Sequence, residues 1–345
     1  MKKISLLLVV VILCMMIYRM IHLGESSRDL DIELGKVKHV EGFSQENLSQ
    51  VKKINSLEGV SFKMSKIENL NINVKQIVGE TQTSWSQRNE IARKLKSEGL
   101  NSEDYEALYS FIASYPNEED LKWQKSYHSI KTFVLNFLFE RDKKHDDSRM
   151  GEFVAKVITD KKQHRVMRNY MIQGMEQYYE RRWPRKNGEE VHRLNDQEKE
   201  ERSILEQSLL LASQHNKGAL GGTALFVLNN INKTYGISNP KYLEEISSTV
   251  LWESDCDNSS KMGALDVLAQ VGDEKAKQKI KNLVFNEEVN TNLRMMAIAK
   301  SSQMGADSKL ITYLEEEILD SHKKADKRLV MAAQAAMTRM NQKGN

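Results

Sequence analysis

His128, the pair His145-Asp146 and Asp160 supply, in that order along the chain, the imidazoles and carboxylates from which a hydrolytic metal centre is built. Their setting speaks against one. His145-Asp146 sits inside Lys143-Lys144-His145-Asp146-Asp147, a charged stretch that reads as a solvated turn, where ligands are not held rigidly. Cys256 lies between Asp255 and Asp257, and flanking carboxylates disfavour the thiolate that a nucleophile or metal ligand must become. Gly218-Ala219-Leu220-Gly221-Gly222 has the glycines of a phosphate cradle but lacks the Lys-Ser/Thr that completes a P-loop, so close packing between helices is its expected role. No His-x-x-x-His or Glu-x-x-His pairing falls on an expected helix, and Gly-x-Ser-x-Gly does not occur. The expectation is a chain without catalytic residues, cofactor or metal.

A binding surface has a better candidate. Tyr178-Tyr179-Glu180-Arg181-Arg182-Trp183-Pro184-Arg185-Lys186 sets four cations among aromatics at the end of an expected helix, and eight basic residues against two acidic ones fall between Lys161 and Lys186. Arg181, Arg182, Trp183 and Arg185 are the expected anchors for an anionic partner, since Arg and Trp dominate binding hot spots. The competing account is internal. Cations suit a helix C-terminus, and the seven acids between Glu189 and Glu206 are placed to neutralise them.

These residues need helices to hold them, and composition favours helices: three prolines and 17 glycines stand against 40% hydrophobic and 29% charged residues. From about Trp85 the apolar spacing is helical. Start and stop signals recur: Ser102 before Glu103 and Asp104, Asn117 before Glu118, the cap-plus-proline Asn239-Pro240, and Gly272 and Gly305 closing apolar runs. Self-similarity is the strongest feature. Gly263-Ala264-Leu265, Leu268, Val271, Gly272 returns 33 residues later as Met296-Ala297-Ile298, Ser301, Met304, Gly305, and stands 40 residues earlier as Thr223-Ala224-Leu225, Leu228, Ile231. Ala333, Met337 and Met340 follow 36 residues after Ala297, Ser301 and Met304, and Arg168 to Ile172 with Met175 and Tyr178 fits the same template. Alanine at a fixed point of an apolar face marks a close helix approach, and such spacings fit a two-helix unit stacking on its copies.

Asn292-Leu293-Arg294-Met295-Met296-Ala297-Ile298, running on to Gly305, resembles the second helix of a HEAT repeat of the phycobilisome-lyase-like kind: apolar, basic, two residues, alanine, apolar, then glycine at the turn. Lys261 and Arg168 take the basic position in their own units. The resemblance covers about 218 to 340 and extends more weakly back to about 85; it departs from the family in lacking the first-helix proline and in its uneven spacing. It implies an all-α solenoid of six to eight helix pairs over residues 84–345, with a polar insertion near 184–202, serving as a protein-binding scaffold.

Upstream, residues 25–83 are polar, with a short alternating stretch (Ile67, Leu70, Ile72, Val74) compatible with a strand or with nothing regular, and they read mostly as a stalk or irregular cap. Residues 1–24 place Lys2 and Lys3 before an apolar run from Ile4 to Tyr18, and the stretch from Ile4 to Leu23, with Arg19 and His22 at its far end, is long enough to span a bilayer. Two fates stay open, a retained anchor and a cleaved signal peptide; retention is favoured because Arg19 stands where a cleavage site wants small residues. Charge asymmetry then puts the body in the periplasm of a Gram-negative-type cell, or, if cleaved, free in the periplasm or secreted. Without the three basic residues before position 24, the 51 basic and 48 acidic residues balance at 48 each, which removes the basic footprint of nucleic-acid binding. The functional expectation is a non-enzymatic, membrane-tethered or exported scaffold for a protein partner. The alternatives are an envelope enzyme with a site in the solenoid groove, a metal-dependent hydrolase being nearest, and a self-associating structural protein.

Overall fold

Ala224, Ala264, Ala297 and Ala333, the four alanines of the repeating stripe, are all fully buried, and each lies on a helix. A computed structural model describes residues 69–79, 81–115, 122–140, 150–186, 189–190, 193–215, 218–237, 240–252, 255–304, 308–320 and 326–343, all within one compact unit. They form an all-α structure. Its helices are α1 Ile72–Val78, α2 Trp85–Arg93, α3 Ser102–Ala113, α4 Gln124–Glu140, α5 Met150–Thr159, α6 Arg165–Gln173, α7 Met175–Arg182, α8 Asp196–His215, α9 Ala219–Tyr235, α10 Pro240–Trp252, α11 Asn258–Val271, α12 Glu274–Phe285, α13 Thr291–Gln303, α14 Ser308–Tyr313 and α15 Lys327–Lys343. A π-helical turn, Leu314–Leu319, extends α14. The apolar run 4–23 lies outside the described residues, among which no helix is long and apolar enough to cross a membrane.

Contacts follow a simple order. Pairs form between α1 and α2, α3 and α4, α5 and α6, α8 and α9, α10 and α11, α12 and α13, and the π turn and α15. The second helix of each pair also packs on the second helix of the next, in the sequence α2, α4, α6, α9, α11, α13, α15. Small residues set the closest of these approaches. A Cβ added to Gly222 on α9 would stand 2.3 Å from the Ser259 carbonyl oxygen, and one on Gly263 of α11 would stand 2.5 Å from the Gly222 carbonyl oxygen. Backbone therefore lies directly on backbone, which only glycine permits.

Buried cations tie first helices to second helices. The last carbonyls of any helix have no partner within it. Arg88 on α2 donates from Nε (3.1 Å) and Nη2 (2.7 Å) to the Ile77 carbonyl, and Lys131 on α4 donates to Ile112 O (3.0 Å) and Ser114 O (2.6 Å). Arg168 on α6 and Arg294 on α13 donate from Nε to Ile158 O (2.8 Å) and Val284 O (3.3 Å). Ile77, Ile112, Ile158 and Val284 are each the penultimate residue of the first helix in their pair. All four cations are buried. Lys261, at the matching place in α11, is part-exposed and makes no such bond.

Several local expectations change. The stretch around Leu70, Ile72 and Val74 is not a strand. Asn71 caps α1 by accepting the Asn73 amide, and Leu70, Val74 and Ile77 enter the core, so the helical body begins before residue 84. α3 is capped by Asn101 rather than Ser102, because Asn101 and Asp104 exchange side-chain-to-backbone bonds in a capping box; buried Asp104 also accepts the Asn71 amide at 2.7 Å. The polar stretch 184–202 is shorter as an insertion than its composition suggests. Arg185–Lys186 and Glu189–Glu190 pair as a two-stranded antiparallel ribbon, and α8 starts at Asp196, where Asn195 and Glu198 cap each other. Pro240 opens α10, while Gly272 closes α11 in an extended conformation, φ −66°, ψ 149°; Asn117, Asn239 and Gly305 lie outside the described residues.

Two stability measurements follow. Gly222→Ala and Gly263→Ala each force backbone apart and are expected to destabilise by about 1–3 kcal/mol in urea unfolding, with little change in helix content before the transition. Arg168→Met and Arg294→Met each leave a buried carbonyl without a donor and are expected to cost about 1–3 kcal/mol, whereas Lys261→Met changes stability by under about 0.5 kcal/mol.

Candidate functional site

Between Gly79, the connection Thr81–Ser84, the first turns of α2, the C-terminal half of α3 and the start of α4 lies a cavity of about 610 Å³. Sequence places each wall for a local reason. Gly79 takes φ +92° to end α1, a conformation suited to glycine, and its missing side chain makes room for Arg88, whose Nη2 would otherwise stand 3.3 Å from a Cβ. Ser84 and Gln87 form the capping box that starts α2 and so fix Trp85 and Arg88. Trp85 meets Tyr127 edge-on at 6.2 Å, and Phe111 meets the same ring at 5.9 Å. Behind these rings are two buried cations: the Arg88 guanidinium 4.3 Å from the Trp85 centroid and Lys131 Nζ 4.5 Å from the Tyr127 centroid. Tyr115, half exposed, also lines the cavity and donates to Asp160 at 2.6 Å, a bond that pushes its phenol up to about 12.

Next to it, α4 meets α6 through two histidines. The rings of His128 and His164 lie 4.1 Å apart, tilted by 33°. His164 Nδ1 accepts the Val166 amide (3.3 Å) as the N-cap of α6, which requires that nitrogen to be unprotonated, and its Nε2 lies 3.2 Å from the Gln124 side-chain amide. Neither ring nitrogen of His128 has a hydrogen-bond partner in its buried position. Burial, the neighbouring His164 and Lys131 hold His128 down to about 4, and burial, then Lys131, lowers His164. Asp160, the carboxylate from the same sequence constellation, is engaged by Tyr115, and His145-Asp146 lies outside the described residues. Among the described residues no three His, Cys, Asp or Glu side chains gather to hold a metal.

The basic and aromatic run expected to anchor a partner is held by the chain itself. Trp183 is 1% exposed, edge-on to Tyr178 and Tyr179, with the Arg202 guanidinium 4.7 Å from its centroid. Arg182 pairs with buried Glu201 (3.3 Å) and Glu198 (3.9 Å). Arg181 donates to Leu138 O near the end of α4 (3.2 Å), and Arg185 donates to Thr234 O at the end of α9. Arg181 and Arg185 thus reach the C-termini of α4 and α9 rather than of α7, and Glu198 and Glu201 of α8 face Arg182.

A second polar network runs across the row of second helices. Buried Asp266 on α11 accepts from Asn229 Nδ2 on α9 (2.7 Å), lies 3.8 Å from Lys233 Nζ on α9, and pairs with Lys300 on α13. Glu176 on α7, raised in pKa by burial, accepts from Asn230 Nδ2 at 2.9 Å. Cys256 is buried and in no disulfide. Large apolar side chains remain outside on the same helices: Val166 and Tyr170 on α6, Phe226 on α9 and Met331 on α15.

The sequence reading missed the cavity. Its rings and cations come from α2, α3 and α4, and the usable signal was Arg88, three residues before apolar Ile91 as Arg168 is three before Met171. No protein-family model, no curated protein and no solved structure matches the chain.

The histidine pair gives a pH dependence with a definite sign. His128 titrates near 4 when folded and near 6.5 when unfolded, so between those values the unfolded chain binds more protons. Stability is full above about pH 6.5 and falls as pH drops through 4. Urea unfolding across pH 4–7 is expected to show this loss, and His128→Phe is expected to flatten it while keeping neutral-pH stability within about 1 kcal/mol.

Proposed function

We propose that this chain is a HEAT-like α-solenoid acting as a non-enzymatic scaffold for a protein partner, tethered to or exported across a membrane through residues 4–23. The observation that supports this reading most is the order of contacts: each second helix, from α2 to α15, packs on the next. Such a row offers a partner a surface drawn from many successive helices. Two buried carboxylates of the row, Asp266 and Glu176, are engaged by neighbouring helices. Among the exposed residues are two large aromatics, Tyr170 and Phe226, on helices in direct contact, α6 and α9. Exposed aromatics of this kind are the groups from which interface hot spots are made. The balanced charge of the part after residue 24 suits a protein partner better than a nucleic acid.

The test is photo-crosslinking in the native host, with a crosslinking amino acid at Tyr170 or Phe226 of the full-length chain, followed by mass spectrometry. The same protein partner is expected from both positions, and Tyr170→Asp with Phe226→Asp is expected to lower its capture by about tenfold or more without changing the melting curve. Adducts that differ between the two positions, or capture untouched by the double substitution, would rule the scaffold face out. The same spectra report whether the peptide containing residues 4–23 survives in the mature protein.

A further inference from the structure

Helices α2, α6, α11 and α13 begin in the same way. Ser84, His164, Asp257 and Asn290 stand four residues before Arg88, Arg168, Lys261 and Arg294, and each basic residue donates its backbone amide to the carbonyl of the residue that caps its helix, at 2.9, 3.1, 3.1 and 3.0 Å. Each capping side chain also accepts a first-turn amide: Ser84 from Gln87, His164 from Val166, Asp257 from Ser260 and Asn290 from Asn292. Serine, aspartate and asparagine are the preferred residues for this task. Histidine is the exception, and of the four residue types it alone has an ordinary pKa near neutrality. Asn290 is the nearest counterpart of His164, because both accept the amide two residues on, at 3.0 Å and 3.3 Å.

The acceptor on His164 is Nδ1, so the neutral ring carries its hydrogen on Nε2 and an added proton goes to Nδ1. An imidazolium has no lone pair left for the Val166 amide, and its charge opposes the positive end of α6. The carboxamide of Asn290 does not titrate. Little else secures the first turn of α6, since Arg165 and Val166 are exposed and Met167 is the first residue of the helix to enter the core. Beyond it the helix is anchored by Met171 and Ile172 and by Arg168 on the Ile158 carbonyl. Release of the turn is therefore local.

Among the described residues, the charge that acts on the His164 ring is that of Lys131 on α4, and His128 of the same helix lies 4.1 Å away. In the connection before α6, Asp160 is engaged by Tyr115 and the Lys162 amide, and its charge acts on Lys156 of α5 and Arg168 of α6; Lys161 and Lys162 are exposed. Arg165 and, at the start of α11, Asp257 both lie against Gly218. Loss of the cap follows from the proton on Nδ1 and not from this field. Burial, then Lys131, lowers His164, so the cap is at full strength above about pH 6.5 and is lost as pH falls through the lowered folded value.

We propose that His164 is a proton-operated helix cap: acidification releases the first turn of α6 from its side-chain hydrogen bond and from α4, while the second helices capped by serine, aspartate and asparagine stay closed. The inference is independent of the scaffold reading, since it is read at backbone amides and no partner enters.

Millisecond hydrogen–deuterium exchange on the full-length chain in detergent, resolved to single amides by fragmentation and expressed relative to an unstructured chain at the same pH, tests it. Protection at Val166 and Arg168 is expected to fall about three- to tenfold between pH 7.5 and pH 5, the factor that a lost N-cap is worth. Protection at Asn292 and Arg294, the matching amides of α13, is expected to stay within about twofold over the same range. His164→Asn is expected to match the parent at the higher pH and to keep that protection at the lower. Unchanged protection at Val166 in the parent, an equal fall at Asn292, or a fall that persists in folded His164→Asn would overturn the proposal. Should His164→Asn not fold, His164→Ser takes its place, and should neither fold the parent decides: a fall confined to α6 supports the proposal, and one shared by α13 overturns it.

Discussion

A buried cation on the penultimate carbonyl of a neighbouring helix is the interaction on which the helix pairs rest. Four of the pairs use it, through Arg88, Lys131, Arg168 and Arg294. A helix ending inside a protein leaves carbonyls that water cannot reach, and leaving them bare costs more than any single apolar contact returns. A long cationic side chain from the partner helix resolves this at a distance. Its methylenes pack in the core, and its charge meets the negative end of the helix dipole. One long cationic side chain, arginine or lysine, thus fixes both where the first helix stops and how the second lies against it. The surface cluster follows the same rule, for Arg181 and Arg185 reach the ends of α4 and α9.

How much of this could be read beforehand depends on how far apart in sequence the partners lie. The alanine stripe was legible because Ala224, Ala264, Ala297 and Ala333 repeat within helices whose period is local, and Gly222 was rightly assigned to close packing because glycines inside an apolar run have few other uses; its partner Gly263 was read only as part of the repeat. Of the basic residues at the repeated position, Arg168 and Arg294 bond a helix-end carbonyl and Lys261 does not, a difference the shared spacing does not carry. The first helix, Ile72–Val78, escaped because in seven residues a helical and an alternating apolar pattern cannot be told apart. The start of α8 escaped because its first turns are polar on every side in sequence, although Glu198, Glu201 and Arg202 are buried by partners on α7 and the ribbon.

The candidate sites divide along the same line. Arg181, Arg182, Trp183 and Arg185 look like an exposed hot spot when read as a string, because their partners, Leu138, Glu198, Glu201 and Thr234, stand up to 49 residues away. The cavity of Trp85, Arg88, Phe111 and Tyr127 is the converse case. Each residue is unexceptional in its own helix, and only the packing of α2, α3 and α4 makes a volume between them. The His128–His164 contact likewise joins positions 36 apart, and its chemistry arises from withheld solvent rather than from any motif.

The glycine contact between α9 and α11 also bears on how the row can flex. Where backbone rests on backbone, no side chain intervenes whose rotamer could change, so that junction is stiff. α13 and α15 bring Met295, Met296, Met337 and Met340 to the core instead, and thioether chains exchange conformers at little cost. The α9–α11 junction at residues 222 and 263 is therefore stiffer than its methionine-lined neighbours, which include Met167, Met171 and Met175 on one side as well as the α13–α15 contact on the other.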